Sequence, residues 1–530
     1  METRAARIGI GIVRTFIAIG NLKMGEFSMD LAKKLEKQAQ ERGDQLFVIW
    51  HDQELTFDQL NASAAKMAAA MSAKGIRQGD VVAMMIPNIP PFMITYFAIQ
   101  KLGAVALPIN LLLQPLEVEY ILNDSGAKTL IAIDMFNPLI EKIRERTPTV
   151  EQFFTLGENV AEWALPYASL VDGDIGQLPS PAIDADDLCT LMYTSGTTGK
   201  PKGVMLTHNN FLHQGKMIQD VFEISASDRK LLVLPLFHIF GLGLITMASL
   251  VSGSPAVLQE KFDPDMVLKE IASKEINLLF AVPTMYIALL QQAEKGGYNL
   301  PKTLRACLCG AAPLPVETVK QFEETFQTVI VEGYGLTESA GGVCVNPWDG
   351  NTKIGTIGLP MPGNDIKVVD PETGKELPAG EAGEVIIRGD NIMKGYLNLP
   401  EATAETIRDG WLYTGDLAKT DEDGYLTIID RKKDLIIVGG ENVYPREVEE
   451  AIYEYPGVME VAVVGIPHPK MVEVPCASIA LKPGVEASAD DIVAFLEKRL
   501  AKFKVPRTIH FLNELPKSGS GKILRRMLKE

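Results

Sequence analysis

Between Tyr193 and Gly203 the chain reads Tyr-Thr-Ser-Gly-Thr-Thr-Gly-Lys-Pro-Lys-Gly, so hydroxyls, glycines and lysines crowd together directly after the apolar stretch Leu188 to Met192. Glycines at 196 and 199 let backbone N–H groups close around phosphate oxygens. Hydroxyls of Thr194, Ser195, Thr197 and Thr198 add donors, and Lys200 and Lys202 supply countercharge. That chemistry suits a triphosphate. It is not a Walker A loop, because Gly196 and Gly199 have only two residues between them and Pro201 follows Lys200, where that motif needs four residues and then a Ser or Thr. A flexible surface turn would not need this density of phosphate donors.

The run is similar to the phosphate-binding loop of the adenylate-forming superfamily, which groups acyl-CoA synthetases, non-ribosomal peptide adenylation domains and beetle luciferases. Other motifs of that superfamily follow in order: Leu234-Pro-Leu-Phe-His238, Gly310-Ala-Ala-Pro-Leu314, Gly333-Tyr-Gly-Leu-Thr-Glu338, Tyr413-Thr-Gly-Asp416, Asp430-Arg431, Gly439-Gly-Glu-Asn-Val-Tyr-Pro445 and Pro516-Lys-Ser-Gly-Ser-Gly-Lys522. Agreement at that many ordered places is not chance. The resemblance implies an ATP-dependent fatty acid:CoA ligase that uses Mg²⁺ and coenzyme A, makes an acyl-adenylate, and releases pyrophosphate and AMP.

Each motif also has its own physical reading. Asp416 can accept from both hydroxyls of a ribose, and Arg431 can donate to the same sugar. A lone Asp or Arg is usually a solvated surface charge; the ordered motifs are what select the sugar. Tyr334 offers a flat face for adenine, beside Gly335, with Gly310, Ala311 and Ala312 small enough to let the base lie against backbone. Glu338 suits Mg²⁺, since a hard divalent ion bridging phosphates takes one or two protein carboxylates and fills the rest with water and phosphate oxygens. Thr337 beside it can bond a phosphate.

His238, in the setting Phe-His-Ile-Phe, reads by itself as a satisfied core histidine. The resemblance implies a place at the wall between acyl pocket and adenylate, where it orients the carboxylate. It is not a general base, because a carboxylate is already ionised at neutral pH. Lys522, by itself a solvated tail residue, is implied to bridge the substrate carboxylate and the α-phosphate as charge builds. The resemblance further implies a pivot at Lys433, a thiol tunnel lined by Gly439, Gly440 and Glu441, and an acyl pocket near Phe237, Met247, Gly333, Ala340, Gly341, Gly342 and Val343. That small, apolar set favours a fatty acid. An aryl or alicyclic acid, or a carrier-protein thiol in place of CoA, remains the alternative. A non-catalytic nucleotide binder and a luciferase-like oxygenase are weaker rivals. One departure stands out: His468 and Val472 occupy positions where many relatives carry Asp and Gly, on the face expected to meet the thiol.

Helices and strands must hold these residues in place. From Leu31 to about Val171 helical stretches such as Phe57 to Lys74 alternate with short apolar strands such as Asp80 to Ile86 and Lys128 to Ile133. The rhythm continues to about Pro347 with strands expected at Leu231 to Leu234, Ala256 to Leu258, Leu278 to Val282 and Val329 to Glu332. It predicts an α/β fold of layered subdomains. From Gly355 to Asp430 strands and Gly/Pro/Asp turns take over as a β-rich subdomain. After the charged cluster Asp430 to Asp434, a small mobile α+β domain is expected, with strands Val461 to Gly465 and Ala477 to Leu481 and helices Pro445 to Tyr453 and Ala489 to Arg499. The expected division is an extension over 1–30, an AMP-binding domain over 31–430 and a mobile C-terminal domain over 431–530.

Bulk properties agree with a multidomain enzyme. At 530 residues, 46% hydrophobic and 22% charged, the chain exceeds one ordinary core. A net charge of -17 argues against a nucleic-acid face. Five scattered cysteines lack metal spacing and read as buried thiols in a reducing compartment, so a cytoplasmic location is expected. At the N-terminus Arg14 interrupts the apolar run Ile8 to Ile19, leaving it too short to span a bilayer. It reads as a peripheral amphipathic anchor or as sequence ahead of a start at Met24 or Met29. A homodimer is one option for the assembly.

Overall fold

A computed structural model describes residues 29–171, 180–194, 200–296, 298, 303–431, 434–438, 441–518 and 523–529. Its large N-terminal domain contains two mixed sheets. The nine-stranded sheet has a central parallel run of Val329–Leu336, Ala306–Cys309, Leu278–Ala281, Lys230–Leu232, Ala256–Leu258 and Leu46–Trp50. The eight-stranded sheet runs in parallel from Leu188–Thr194 through Val105–Pro108, Val81–Met85 and Thr129–Ile133 to Gln152–Leu156, and ends antiparallel at Lys202–Thr207 and Gly395–Tyr396.

Parallel strands are buried on both faces, so alternate residues serve different cores. Leu278 and Phe280 enter the central core, while Leu279 and Ala281 enter the outer one with Val267, Tyr286 and Phe322. The central core also takes Val82, Met84 and Val204 from the eight-stranded sheet, so helices are sandwiched between the two sheets. One of them is the expected helix at Phe57, which runs Phe57–Ala73. Thr56 and Gln59 cap it reciprocally, which satisfies two donors the first turn leaves open.

The strand expected over Val329 to Glu332 continues to Leu336, because Gly333 to Leu336 pair antiparallel with Gly341–Val345. Glycines weaken a strand in sequence terms, and here they hid half of one. After the strand Lys230–Leu232 the chain leaves the sheet, passes His238 and winds into a π-helical stretch, Phe240–Thr246, that the sequence did not reveal.

Asp365–Val369, Gly383–Arg388, Trp411–Thr420, Ile407–Arg408 and Leu426–Arg431 form the antiparallel sheet expected of the β-rich part. The smaller C-terminal domain is built on the hairpin Val458–His468 and Val472–Leu481, longer than expected, against which Pro445–Tyr453 and Ala489–Leu496 pack. His468 and Val472 close this hairpin as opposed residues. The His468 Nδ1 accepts the Lys470 and Met471 N–H groups at 3.3 and 3.2 Å, as a turn-forming aspartate would. Val472 has φ +69°, a conformation that penalises a β-branched residue. All five cysteines are buried and unpaired. No helix among the described residues is long and apolar enough to cross a membrane.

Candidate active site

Asp416 and Arg431 arrive opposite each other on adjacent strands, Trp411–Thr420 and Leu426–Arg431. The Arg431 Nε lies 3.1 Å from Asp416 Oδ1, and the Tyr334 hydroxyl donates to Oδ2 at 2.5 Å. Asp416 is 3% exposed, and the turn before it is pinned by Glu384, which accepts the Gly415 N–H, and by Thr414, which accepts the Asp416 N–H. Each carboxylate oxygen has two lone pairs, so one on each oxygen stays available to a vicinal diol. Burial, then the Asp416 charge, pushes the Tyr334 hydroxyl well up, so it remains a donor.

Tyr334, Gly310 and Ala311 line an apolar cavity of about 470 Å³, open mouth included. Behind them, the Glu332 carboxylate accepts the Leu314 N–H at 3.0 Å and secures the Gly310 to Leu314 loop. Gly335 is glycine for lack of space, because a Cβ there would stand 1.9 Å from the Gly341 carbonyl oxygen. The wall also takes His238, Ile239, Phe240, Leu244, Leu308, Ile218, Cys344, Val345 and Met361. His238 Nδ1 accepts the Phe240 N–H at 3.2 Å, so a neutral ring carries its proton on Nε2 and acts as a donor. Helix His208–Val221, capped by Thr207 and Asn210, supplies Ile218 to the wall and carries Gln214. In the orientation its neighbours require, the Gln214 amide pairs with both backbone groups of Gly342 and fixes the strand that floors the cavity.

Of the expected acyl-pocket residues, Gly333, Gly341 and Gly342 line this cavity. Met247, Ala340 and Val343 are fully buried in the surrounding core, and Phe237 is partly buried off the wall.

Glu338 and Thr337 sit in the short turn Thr337–Ser339 after the Tyr334 strand. Glu338 Oε1 accepts the Tyr396 hydroxyl at 2.9 Å, and its other oxygen takes no hydrogen bond from the described residues. One carboxylate oxygen held and the other open fits a Mg²⁺ that draws its remaining ligands from phosphate and water. No cluster of three or more His, Cys, Asp or Glu among the described residues forms a richer metal site. Thr194 ends one strand and Lys202 begins the next, and the two are register partners. Ser195 to Gly199, between them, lie outside the described residues, as do Lys433, Gly439, Gly440 and Lys522. Lys200 lies 5.7 Å from the ring of Tyr120, and Glu441 is exposed in the strand Glu441–Val443.

Residues 35–397 match the AMP-binding enzyme family, and 447–522 match the AMP-binding enzyme C-terminal domain. The chain belongs to the AMP-binding enzyme family. It is 39% identical over 484 residues to a feruloyl-CoA synthase of Amycolatopsis sp, covering 89% of this chain and 92% of that one. It is 37% identical over 515 residues to the long-chain-fatty-acid–CoA ligase of Bacillus subtilis, covering 92% of each. A solved structure, the anthranilate CoA ligase AuaEII in complex with anthranoyl-AMP, superposes with a TM-score of 0.88 at 32% identity, covering 95% of this chain and 97% of that one.

These relatives are acid–thiol ligases, and the chain is an AMP-binding enzyme of that class. Within its site, sequence reasoning missed Ile218, Ile239, Phe240, Leu244, Leu308, Cys344, Val345 and Met361, all of which line the cavity. An apolar stripe looks the same in sequence whether it faces a core or a cavity. Tyr396 was missed as well, and its only sequence signal is a Gly-Tyr pair shortly before a Pro-started helix.

Proposed function

We propose that this enzyme is an ATP-dependent fatty acid:CoA ligase. The acid's carboxylate oxygen attacks the α-phosphorus of ATP and expels pyrophosphate; the CoA thiol then attacks the acyl carbon, loses its proton, and AMP leaves with the bridging oxygen. The observation that carries this reading is Asp416, buried and held by Arg431 and by Tyr334, the latter lining an apolar cavity together with His238. That arrangement supports a ribose and adenine beside a hydrocarbon acyl group, with the anhydride between them. The backbone and hydroxyls of Thr194 to Gly199, with Lys200 and Lys202, hold the triphosphate. Glu338 would hold Mg²⁺, which would supply countercharge to the phosphates, and Thr337 would bond a phosphate oxygen. Lys522 bridges carboxylate and α-phosphate during adenylation. The C-terminal domain, divided from the rest at Asp430 and Arg431, then turns about Lys433 so that Gly439, Gly440 and Glu441 line the thiol path.

Among the described residues the lining holds no Asp, Glu, Lys or Arg, which supports a plain hydrocarbon donor. A second reading, an aryl acid, is supported by the 39% identical relative, a feruloyl-CoA synthase. AMP release with CoA across fatty, aryl and alicyclic acids tests the proposal. Turnover is expected to be highest with a fatty acid, and turnover confined to ring acids would replace that donor class.

A further inference from the structure

The turn bearing Glu338 is gripped by a segment far from it in sequence. The Asn391 side-chain amide donates to the Ser339 carbonyl at 3.0 Å, the Met393 N–H donates to the Glu338 carbonyl at 2.9 Å, and the Tyr396 hydroxyl donates to Glu338 Oε1 at 2.9 Å. The same tyrosine ring carries Lys202, whose Nζ lies 4.8 Å from its centroid. One side chain therefore touches both a phosphate-loop lysine and the carboxylate that fits a metal.

Tyr396 is held firmly enough to act as a template. Its strand, Gly395–Tyr396, pairs antiparallel with Lys202–Thr207, with Tyr396 opposite Val204 and Gly395 opposite Met205. The Tyr396 N–H donates to Thr403 Oγ1 at 2.9 Å. Gly395, at φ +144°, allows helix Pro400–Thr406 to approach so closely that a Cβ would meet Thr403 Cγ2 at 2.6 Å. Helix His208–Val221 anchors the segment from the other side, through Asn210 donating to the carbonyls of Asp390 and Ile392. The Tyr396 ring is buried in the central core, a job phenylalanine would do as well. The ring's packing does not require the hydroxyl, whose partners are Glu338 and Thr406 at the end of helix Pro400–Thr406.

We propose that Tyr396 is the positioning residue of the magnesium–triphosphate site: its hydroxyl sets the Glu338 carboxylate for the metal, and its ring face holds Lys202, the register partner of Thr194. The inference rests on Glu338 being the Mg²⁺ ligand, as proposed above. Hydrogen-bonded partners of ligating carboxylates typically control metal affinity by about 10-fold to 100-fold. Lysine–aromatic contacts contribute a smaller share.

Calorimetric titration of the full-length protein with Mg·ATP, and with ATP in EDTA, separates these parts. Tyr396→Phe keeps the ring and should weaken Mg·ATP binding about tenfold while leaving metal-free ATP unchanged. Tyr396→Leu should weaken both. A merely structural tyrosine would make Tyr396→Phe lower both titrations together, and either that result or unchanged Mg·ATP binding overturns the inference. Glu338→Gln tests the reading beneath it: if that variant binds Mg·ATP like the wild type, the metal assignment itself fails. If Glu338→Gln loses Mg·ATP affinity and Tyr396→Phe does not, only the role of Tyr396 falls.

Discussion

Asp416 lies in a nearly closed place, where a phenol and a guanidinium each take one of its oxygens. An amide would offer Arg431 a weaker acceptor and oppose the Tyr334 hydroxyl if its NH₂ group faced it. Asp416→Asn should therefore weaken ATP binding about 10-fold to 100-fold, the scale of hydrogen bonds to charged groups, and equilibrium binding reads it directly. Glu332 behaves differently. Burial, only partly offset by Arg446 and the Leu314 N–H, pushes its carboxyl up to about 7. Between the ordinary value of 4.5 and about 7 the folded protein thus binds more protons than the unfolded chain. By linkage, that difference makes stability fall as pH rises through this window and level off above it. Glu332→Gln should flatten that slope in urea denaturation across the window, and an unchanged slope would refute the assignment. The cavity floor gives a third test. A Cβ on Gly342 would meet Met361 at 3.4 Å, the Gln214 amide at 3.6 Å and Leu244 at 3.7 Å, ordinary contacts of which Met361 and Leu244 belong to the lining. Gly342→Val should lower kcat/KM for bulky acids by roughly tenfold or more while sparing the smallest acid that turns over, on the scale of one or two methylenes in a hydrophobic pocket.

At the scale of elements, the sequence showed what each motif could hold but not always how far its element ran. Tyr334, Asp416 and Arg431, expected to meet at a nucleotide, do meet, because strand pairing fixes Asp416 opposite Arg431. The glycines around Tyr334 concealed the antiparallel half of its strand, and the π-helical stretch after His238 has no residue pattern that separates it from a buried helix. That stretch brings Phe240 and Leu244 to the cavity, while Met247 comes one turn later and stays in the core. The hairpin of the C-terminal domain offers a clean energetic test. Val472 sits in a left-handed conformation that costs an L-residue about 1–2 kcal/mol, and it is 65% exposed, so its side chain returns little packing. Val472→Gly should raise stability by about 1 kcal/mol by thermal denaturation, and a loss of stability would show that the strain is compensated elsewhere.

At the scale of the molecule, Arg525 links the chain's last turn to both sides of the proposed hinge. Its guanidinium donates to Glu449 at 2.7 and 2.8 Å and reaches Asp430 at 3.4 Å and Asp434 at 3.6 Å. Arg446 of the C-terminal domain also donates to the Ile428 carbonyl at 2.9 Å. These contacts sit where a rotation about Lys433 would have to begin. With proline fixing φ at that pivot, Lys433→Pro should retain adenylation and lose thioester formation from premade acyl-adenylate. Lys522→Ala should do the reverse, with adenylation falling about 10²–10³-fold. The central claim is that an acid is activated by AMP transfer before any thiol enters. Exchange of labelled pyrophosphate into ATP, measured without CoA, tests it most directly. The account predicts exchange that depends on a fatty acid and on Mg²⁺, and it is contradicted if a CoA-dependent turnover is found with ADP and phosphate as products and no acid supports exchange.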